Sequence, residues 1–133
     1  MAFRTRESID TNIILRLVLR DIPGQCLKIQ DMFMRHGVSY DVADLAITEA
    51  VYVLQKRNSR DEIVDMLSNV LSMPDLNYNR ALFDQVFPMY LEHPQLSFND
   101  CCLTVYTALS GSEPLWTFDK DLAKQSPTAK MLG

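Results

Sequence analysis

Apolar positions recur along the chain with two different periods, and the alternation between the periods predicts the order of elements. Residues 7–10 read as a short first strand, followed by a turn at Thr11 and Asn12. Ile13 to Leu19 is too apolar to lie anywhere but inside, and reads as a helix. Pro23 suits the first turn of a second helix and Gly37 suits its stop. Tyr40 and Val42 alternate with polar neighbours, so Ser39 to Ala43 reads as the second strand. Asp44 is placed to cap the next helix, which carries Glu49 and turns Ile47, Val51 and Leu54 inward.

The clearest helix follows. Ser59 and Glu62 have capping-box spacing, and Ile63, Met66, Leu67, Val70 and Leu71 form one buried stripe before Pro74. Leu76 to Tyr78 reads as a third strand. A helix from Asn79 buries Leu82, Phe83 and Val86, with a kink expected at Pro88. Ser97 and Asp100 open another helix that Gly111 closes. Residues 114–118 read as the last strand, and Asp119 to Lys124 as the last helical turn. Strand and helix patterns in alternation predict an α/β fold with a central, mainly parallel sheet. At 133 residues the length is that of one domain, 1–133.

Composition narrows the function. No stretch approaches the roughly 20 apolar residues of a membrane helix, and Met1 to Arg6 lacks the apolar core of a secretion leader. A cytoplasmic location is the expectation. Cys26, Cys101 and Cys102 lack the spacing of a zinc site and read as small buried residues. His36 and His93 stand in no ligand motif and read as surface or loop residues. The net charge of −4 disfavours a simple electrostatic nucleic-acid binder. It leaves room for a nuclease, because cations held by acids invert the local charge.

Four acids carry the candidate chemistry. Asp10 ends the first strand and Asp119 the last, and ligands of parallel sheets bind beyond the carboxyl ends of strands. Glu49 and Asp100 lie in early turns of two helices. Convergence of the four would suit Mg²⁺ or Mn²⁺, which prefer oxygen ligands. Two such ions about 4 Å apart cleave phosphodiesters by activating water and stabilising the leaving oxygen. Each acid also has an ordinary reading: Asp10 in a turn, Glu49 on a solvated face, Asp100 and Asp119 at helix starts. No serine or cysteine stands in a nucleophile–base motif with a histidine.

Four segments carry a family resemblance. They are Ile-Asp-Thr-Asn-Ile-Ile-Leu at 9–15, Val-Ala-Asp-Leu-Ala-Ile-Thr-Glu-Ala-Val-Tyr-Val-Leu at 42–54, Leu-Ser-Phe-Asn-Asp-Cys at 96–101 and Pro-Leu-Trp-Thr-Phe-Asp-Lys-Asp-Leu at 114–122. In order and spacing the chain resembles the PIN-domain family, in particular the VapC-type toxins of bacterial toxin–antitoxin pairs. The resemblance implies a three-layer α/β/α fold and a metal-dependent endoribonuclease acting on single-stranded or looped RNA. It implies Asp10, Glu49, Asp100 and Asp119 as metal-binding acids, Asn12 and Thr117 orienting them, and Asp121 as an outer acid. It also implies a homodimer and a cognate antitoxin. Many relatives have an acid where this chain has Ser97, which can still cap its helix.

Arg16, Arg20, Lys120 and Lys124 lie close in sequence to Asp10 or Asp119 and are candidates for the RNA backbone, or else a solvated face. Met32, Phe33 and Met34 with the Ile13–Leu19 segment are candidates for core, dimer face or antitoxin groove. A receiver domain or a haloacid-dehalogenase-type phosphatase fits less well. The first needs an acceptor Asp after a middle strand, and the second an Asp-x-Asp where the chain has Asp10-Thr11-Asn12. The rivals that remain are a catalytically silent PIN-like binding domain and an RNA-processing nuclease that is not a toxin.

Overall fold

A computed structural model describes residues 5–133; the first four residues of the Met1 to Arg6 stretch lie outside the described residues. The fold is mixed α/β with a small parallel sheet. The chain forms two compact units, Met1–Asn79 and Arg80–Gly133.

In the first unit, β1 (Thr5–Ile9), β2 (Val38–Val42) and β3 (Leu76–Asn77) form a parallel sheet in the order β1-β2-β3. Parallel neighbours need long crossovers. Helices α1 (Thr11–Leu19) and α2 (Pro23–Phe33) join β1 to β2, and α3 (Asp44–Leu54) and α4 (Arg60–Leu71) join β2 to β3. β2 is the central strand, and Tyr40 and Val42 are buried in it. α1 packs on α3 and α4, so Ile14, Ile47, Val51, Ile63 and Leu67 close into one apolar core. Burial of one such side chain contributes about 1.5–3 kcal/mol.

The second unit pairs α5 (Arg80–Glu92) with α6 (Phe98–Ser110). Phe98 fills the space between them. Its ring stacks on Phe83 at 6.1 Å and meets Tyr90 edge-on at 5.1 Å. β4 (Leu115–Thr117) and β5 (Ala129–Met131) are parallel and joined by α7 (Lys120–Gln125). A buried hydroxyl chain ties β5 to α6: Thr104 Oγ1 donates to Ser126 Oγ at 2.9 Å, and Thr128 Oγ1 donates to the Thr104 carbonyl at 3.3 Å.

Several expectations need correction. Thr11 and Asn12 are not a turn but the first residues of α1, because Asp10 caps the helix there. Asp44 does not cap α3. Ala43 is the N-cap, and the Asp44 carboxylate accepts instead from Asn79 Nδ2 at 3.2 Å. Gly37 does not stop α2, which ends at Phe33; Gly37 takes φ 74 in the turn before β2. The strand at 115–117 is not the last, since β5 follows and pairs with it. Pro88 lies inside α5, where the sequence reading placed it.

Candidate functional site

The carboxyl end of β1 carries the candidate site of the first unit. Ile9 is buried and anchors the strand end. Asp10 then leaves the strand in an extended conformation, and its Oδ1 accepts from the Ile13 N–H at 3.1 Å. This bond satisfies one of the orphan donors of the first helical turn. The packing of α1 on α3 brings Glu49 to the same place, where Thr11 Oγ1 donates to Glu49 Oε2 at 2.7 Å. Asp10, Thr11, Asn12 and Glu49 line one open pocket of about 420 Å³, with Tyr52 on its wall.

The site has the right chemistry for a hard cation. Both carboxylates are exposed. A carboxylate offers about four acceptor positions, so one hydrogen bond leaves it able to bind a metal. The positive end of the α1 dipole favours negative charge here. Thr11 is the residue that the sequence reading missed. It donates to Glu49, and Asn12 lines the same pocket.

In the second unit the acids are held by their own helices. Asp100 is the third residue of α6. Its N–H donates to Ser97 Oγ at 3.0 Å, and its Oδ2 accepts from the Ser97 N–H at 3.3 Å. Asp119 is the N-cap of α7, its Oδ1 accepting from the N–H groups of Asp121 and Leu122 at 2.8 and 3.1 Å. Thr117 Oγ1 accepts from the Asp119 N–H at 2.9 Å, so it holds the backbone of Asp119 and not its carboxylate. Asp121 is exposed in the first turn of α7. Among the described residues no group of three or more His, Cys, Asp or Glu side chains is gathered as a metal cluster.

The candidate cations divide. Lys120 and Lys124 are exposed on α7. Arg20 is exposed at the end of α1. Arg16 is mostly covered and pairs with Asp21 at 3.2 Å. The displaced carboxyl pKa values belong to the scaffold. Hydrogen bonds from Arg6, and then from Asn77, hold Asp41 below the usual carboxylate range. The Ser59 backbone N–H, followed by its side chain, does the same for Glu62. Of the cysteines, Cys101 is buried and Cys26 and Cys102 are partly covered. His93 is half-buried with Nδ1 3.3 Å from Gln125 Oε1, while His36 is exposed.

No protein-family model matches the chain, and no curated protein matches it. Among solved structures it is similar to the crystal structure of PAE2754 from Pyrobaculum aerophilum. The two are 22% identical over 98% of this chain and 90% of that one, with a TM-score of 0.33. Likeness at that level leaves function to be argued from the residues themselves. Among the described residues no helix is long and apolar enough to cross a membrane.

Proposed function

We propose that the chain is a metal-dependent endoribonuclease of PIN-like α/β/α architecture, acting in the cytoplasm on single-stranded or looped RNA. The observation that carries this reading is the Asp10–Thr11–Glu49 constellation at the carboxyl end of a parallel strand. Glu49 has no role in capping its own helix, yet a bond from a residue 38 positions away fixes it beside Asp10. Asp10 and Glu49 would hold Mg²⁺ or Mn²⁺, with Asp100 and Asp119 assigned to the same metal site by the four-segment resemblance. The bound ion supplies Lewis-acid stabilisation of charge on the scissile phosphate. Thr11 holds Glu49 in one rotamer, and the α1 N-terminus holds Asp10 through the Ile13 N–H. Exposed Arg20, Lys120 and Lys124 are the candidates for the RNA backbone. The same resemblance supports a type II toxin with a cognate antitoxin and a homodimeric state. Met34, 72% exposed after α2, is available to such a partner, whereas Met32 and Phe33 are half-buried.

One observation favours a second reading. Asp10, Asp100 and Asp119 each have a capping role, so a silent binding domain could retain them for stability. Incubating the protein with structured RNA and Mn²⁺, with and without chelator, separates the two. Cleavage in loops that chelator stops, and that Asp10→Asn abolishes, supports the nuclease. Binding without cleavage in any metal would leave the silent domain.

A further inference from the structure

The β4–β5 ribbon of the second unit carries an exposed aromatic face. Exposure alternates along both segments. Leu115 and Thr117 are half-buried, while Trp116 and Phe118 are 53% and 76% exposed. Ala129 and Met131 are half-buried, while Lys130 and Leu132 are exposed. Side chains alternate between the two faces of a strand, so Trp116, Phe118, Lys130 and Leu132 share one face. Two contacts support this placement. Trp116 stands opposite Lys130, whose Nζ lies 5.8 Å from the centroid of the indole. The Leu132 N–H donates to the Thr117 carbonyl at 2.9 Å, which carries the pairing past the strand ends, beside Phe118. Single apolar residues on a surface need no explanation, but two neighbouring rings with a lysine mark a contact site.

Magnitudes select the occupant. Each strand of the ribbon has 3 residues, so the face is about 10 Å long. A stable protein partner covers about 800 Å² on each side, far more than this face offers. Two residues of strand put the rings about 7 Å apart, roughly twice the 3.4 Å spacing along one strand of a duplex. Successive bases therefore reach both rings only when unstacked from one another, as in a single strand. Lys120, Lys124 and Lys130 are exposed and available to phosphates, and exposed Glu113, Asp119 and Asp121 balance them in formal charge. Stacking, which every base can make, thus carries the affinity, and the salt dependence is shallow.

We propose that Trp116 and Phe118 form a stacking platform for two successive bases of single-stranded RNA, with Lys130 serving the phosphate between them. The inference deepens the nuclease reading, on which the choice of RNA rests. Asp119 follows Phe118 directly in the chain, so a strand held on that ring runs past one of the candidate acids.

Trp116 is the chain's single tryptophan, so intrinsic emission reports on this face alone. The probes are a single-stranded uridine octamer and a blunt RNA duplex of the same length, titrated into the full-length protein with chelator present. The octamer quenches Trp116 to saturation, and the duplex leaves it nearly unchanged. Phe118→Ala, a change at an exposed position, weakens octamer binding about tenfold. The proposal is overturned if the octamer leaves the emission unmoved, if the duplex quenches equally, or if Phe118→Ala binds like wild type. Emission that changes with protein concentration alone also overturns it, because the face is then a contact between copies. The two readings fail separately. Metal-dependent cleavage with a silent Trp116 removes the platform and keeps the nuclease, whereas quenching without cleavage in any metal removes the nuclease and keeps a single-strand platform.

Discussion

The two units treat their acids differently. In the first, the Glu49 carboxylate is fixed by a hydroxyl on another helix, and Asp10 and Glu49 line one pocket. In the second, Asp100 and Asp119 bond to backbone groups within their own helix starts. A local bond is a sufficient structural reason for an acid to be where it is. A bond across the fold that fixes an exposed carboxylate adds little stability, since an exposed hydrogen bond is worth about 1 kcal/mol or less. Glu49 therefore holds the stronger evidence of function, and the capping roles of Asp10, Asp100 and Asp119 are what experiment must see past.

Substitution by asparagine does this, because Asn caps a helix about as well as Asp but lacks the charge that binds a cation. The largest effect is expected on cleavage rate. Asp10→Asn and Asp119→Asn lower it by two or more orders of magnitude, while their melting temperatures stay close to that of wild type. Glu49→Gln does the same. Thr11→Val costs less, about tenfold, because it frees the Glu49 rotamer without removing a ligand. If Asp119→Asn cleaves like wild type while Asp10→Asn is dead, the second unit's acid is a cap and no more.

Metal-linked stability comes next. A ligand that binds only the folded state at 100 times its dissociation constant stabilises by about 2.7 kcal/mol. For a chain of this size that raises the melting temperature by very roughly 10 °C. Mn²⁺ shifts wild type by this order, and the shift shrinks in Glu49→Gln and in Asp10→Asn. An Asp100→Asn variant that keeps the full shift removes Asp100 from the metal site.

The helix starts themselves can be compared across the units. Ser59→Ala in α4 and Ser97→Ala in α6 each break a complete capping box and destabilise by about 1 kcal/mol in chemical denaturation. Acid should affect the first box. Glu62 has a lowered pKa in the folded state, owing first to the Ser59 backbone N–H. Its contribution is complete above the unfolded glutamate range, about pH 4.3, and fades as pH falls through the lower folded value. Glu62→Gln flattens that acid limb. An unchanged limb would mean that the charged form of Glu62 adds nothing to the cap.

Where the cause is local, the sequence was readable. Both capping boxes and the buried stripe of α4 follow from spacing within one turn or two. The same holds for Pro23 at the start of α2 and Gly111 at the end of α6. Errors arose where two local signals competed. Asp10-Thr11-Asn12 is good turn material, but the apolar run that follows lets Asp10 cap a helix, so the helix takes Thr11 and Asn12. β5 was invisible because three residues after Ser-Pro-Thr show no alternation. It is held by pairing with β4 and by the buried hydroxyls of Thr104, Ser126 and Thr128. The Thr11–Glu49 bond and the Arg16–Asp21 pair depend on how helices and loops meet, which no spacing rule gives. The acids themselves were legible as a set only through the family pattern.

The smallest expected effect compares two helix ends. α1 and α6 both finish on a left-handed residue, Arg20 at φ 51 in the first unit and Gly111 at φ 63 in the second. An L-residue in that conformation costs roughly 1–2 kcal/mol, and glycine avoids the cost at the expense of greater chain entropy, about 0.5–1 kcal/mol. No atom lies within 4 Å of a Cβ built on Gly111, so Gly111→Ala meets backbone strain and no clash. Gly111→Ala therefore destabilises by about 1 kcal/mol. Arg20→Gly relieves the strain and stabilises by up to about 1 kcal/mol, despite losing a side chain. Natural chains keep such strain where a side chain is needed, and in this chain that side chain lines a cleft with residues of α1 and α2. Paired denaturation curves of Arg20→Gly and Gly111→Ala read the two signs directly. If Arg20→Gly is destabilising, the Arg20 side chain holds the helix end by contacts that outweigh its backbone strain. If it is stabilising, the left-handed backbone of Arg20 is kept at a cost to stability.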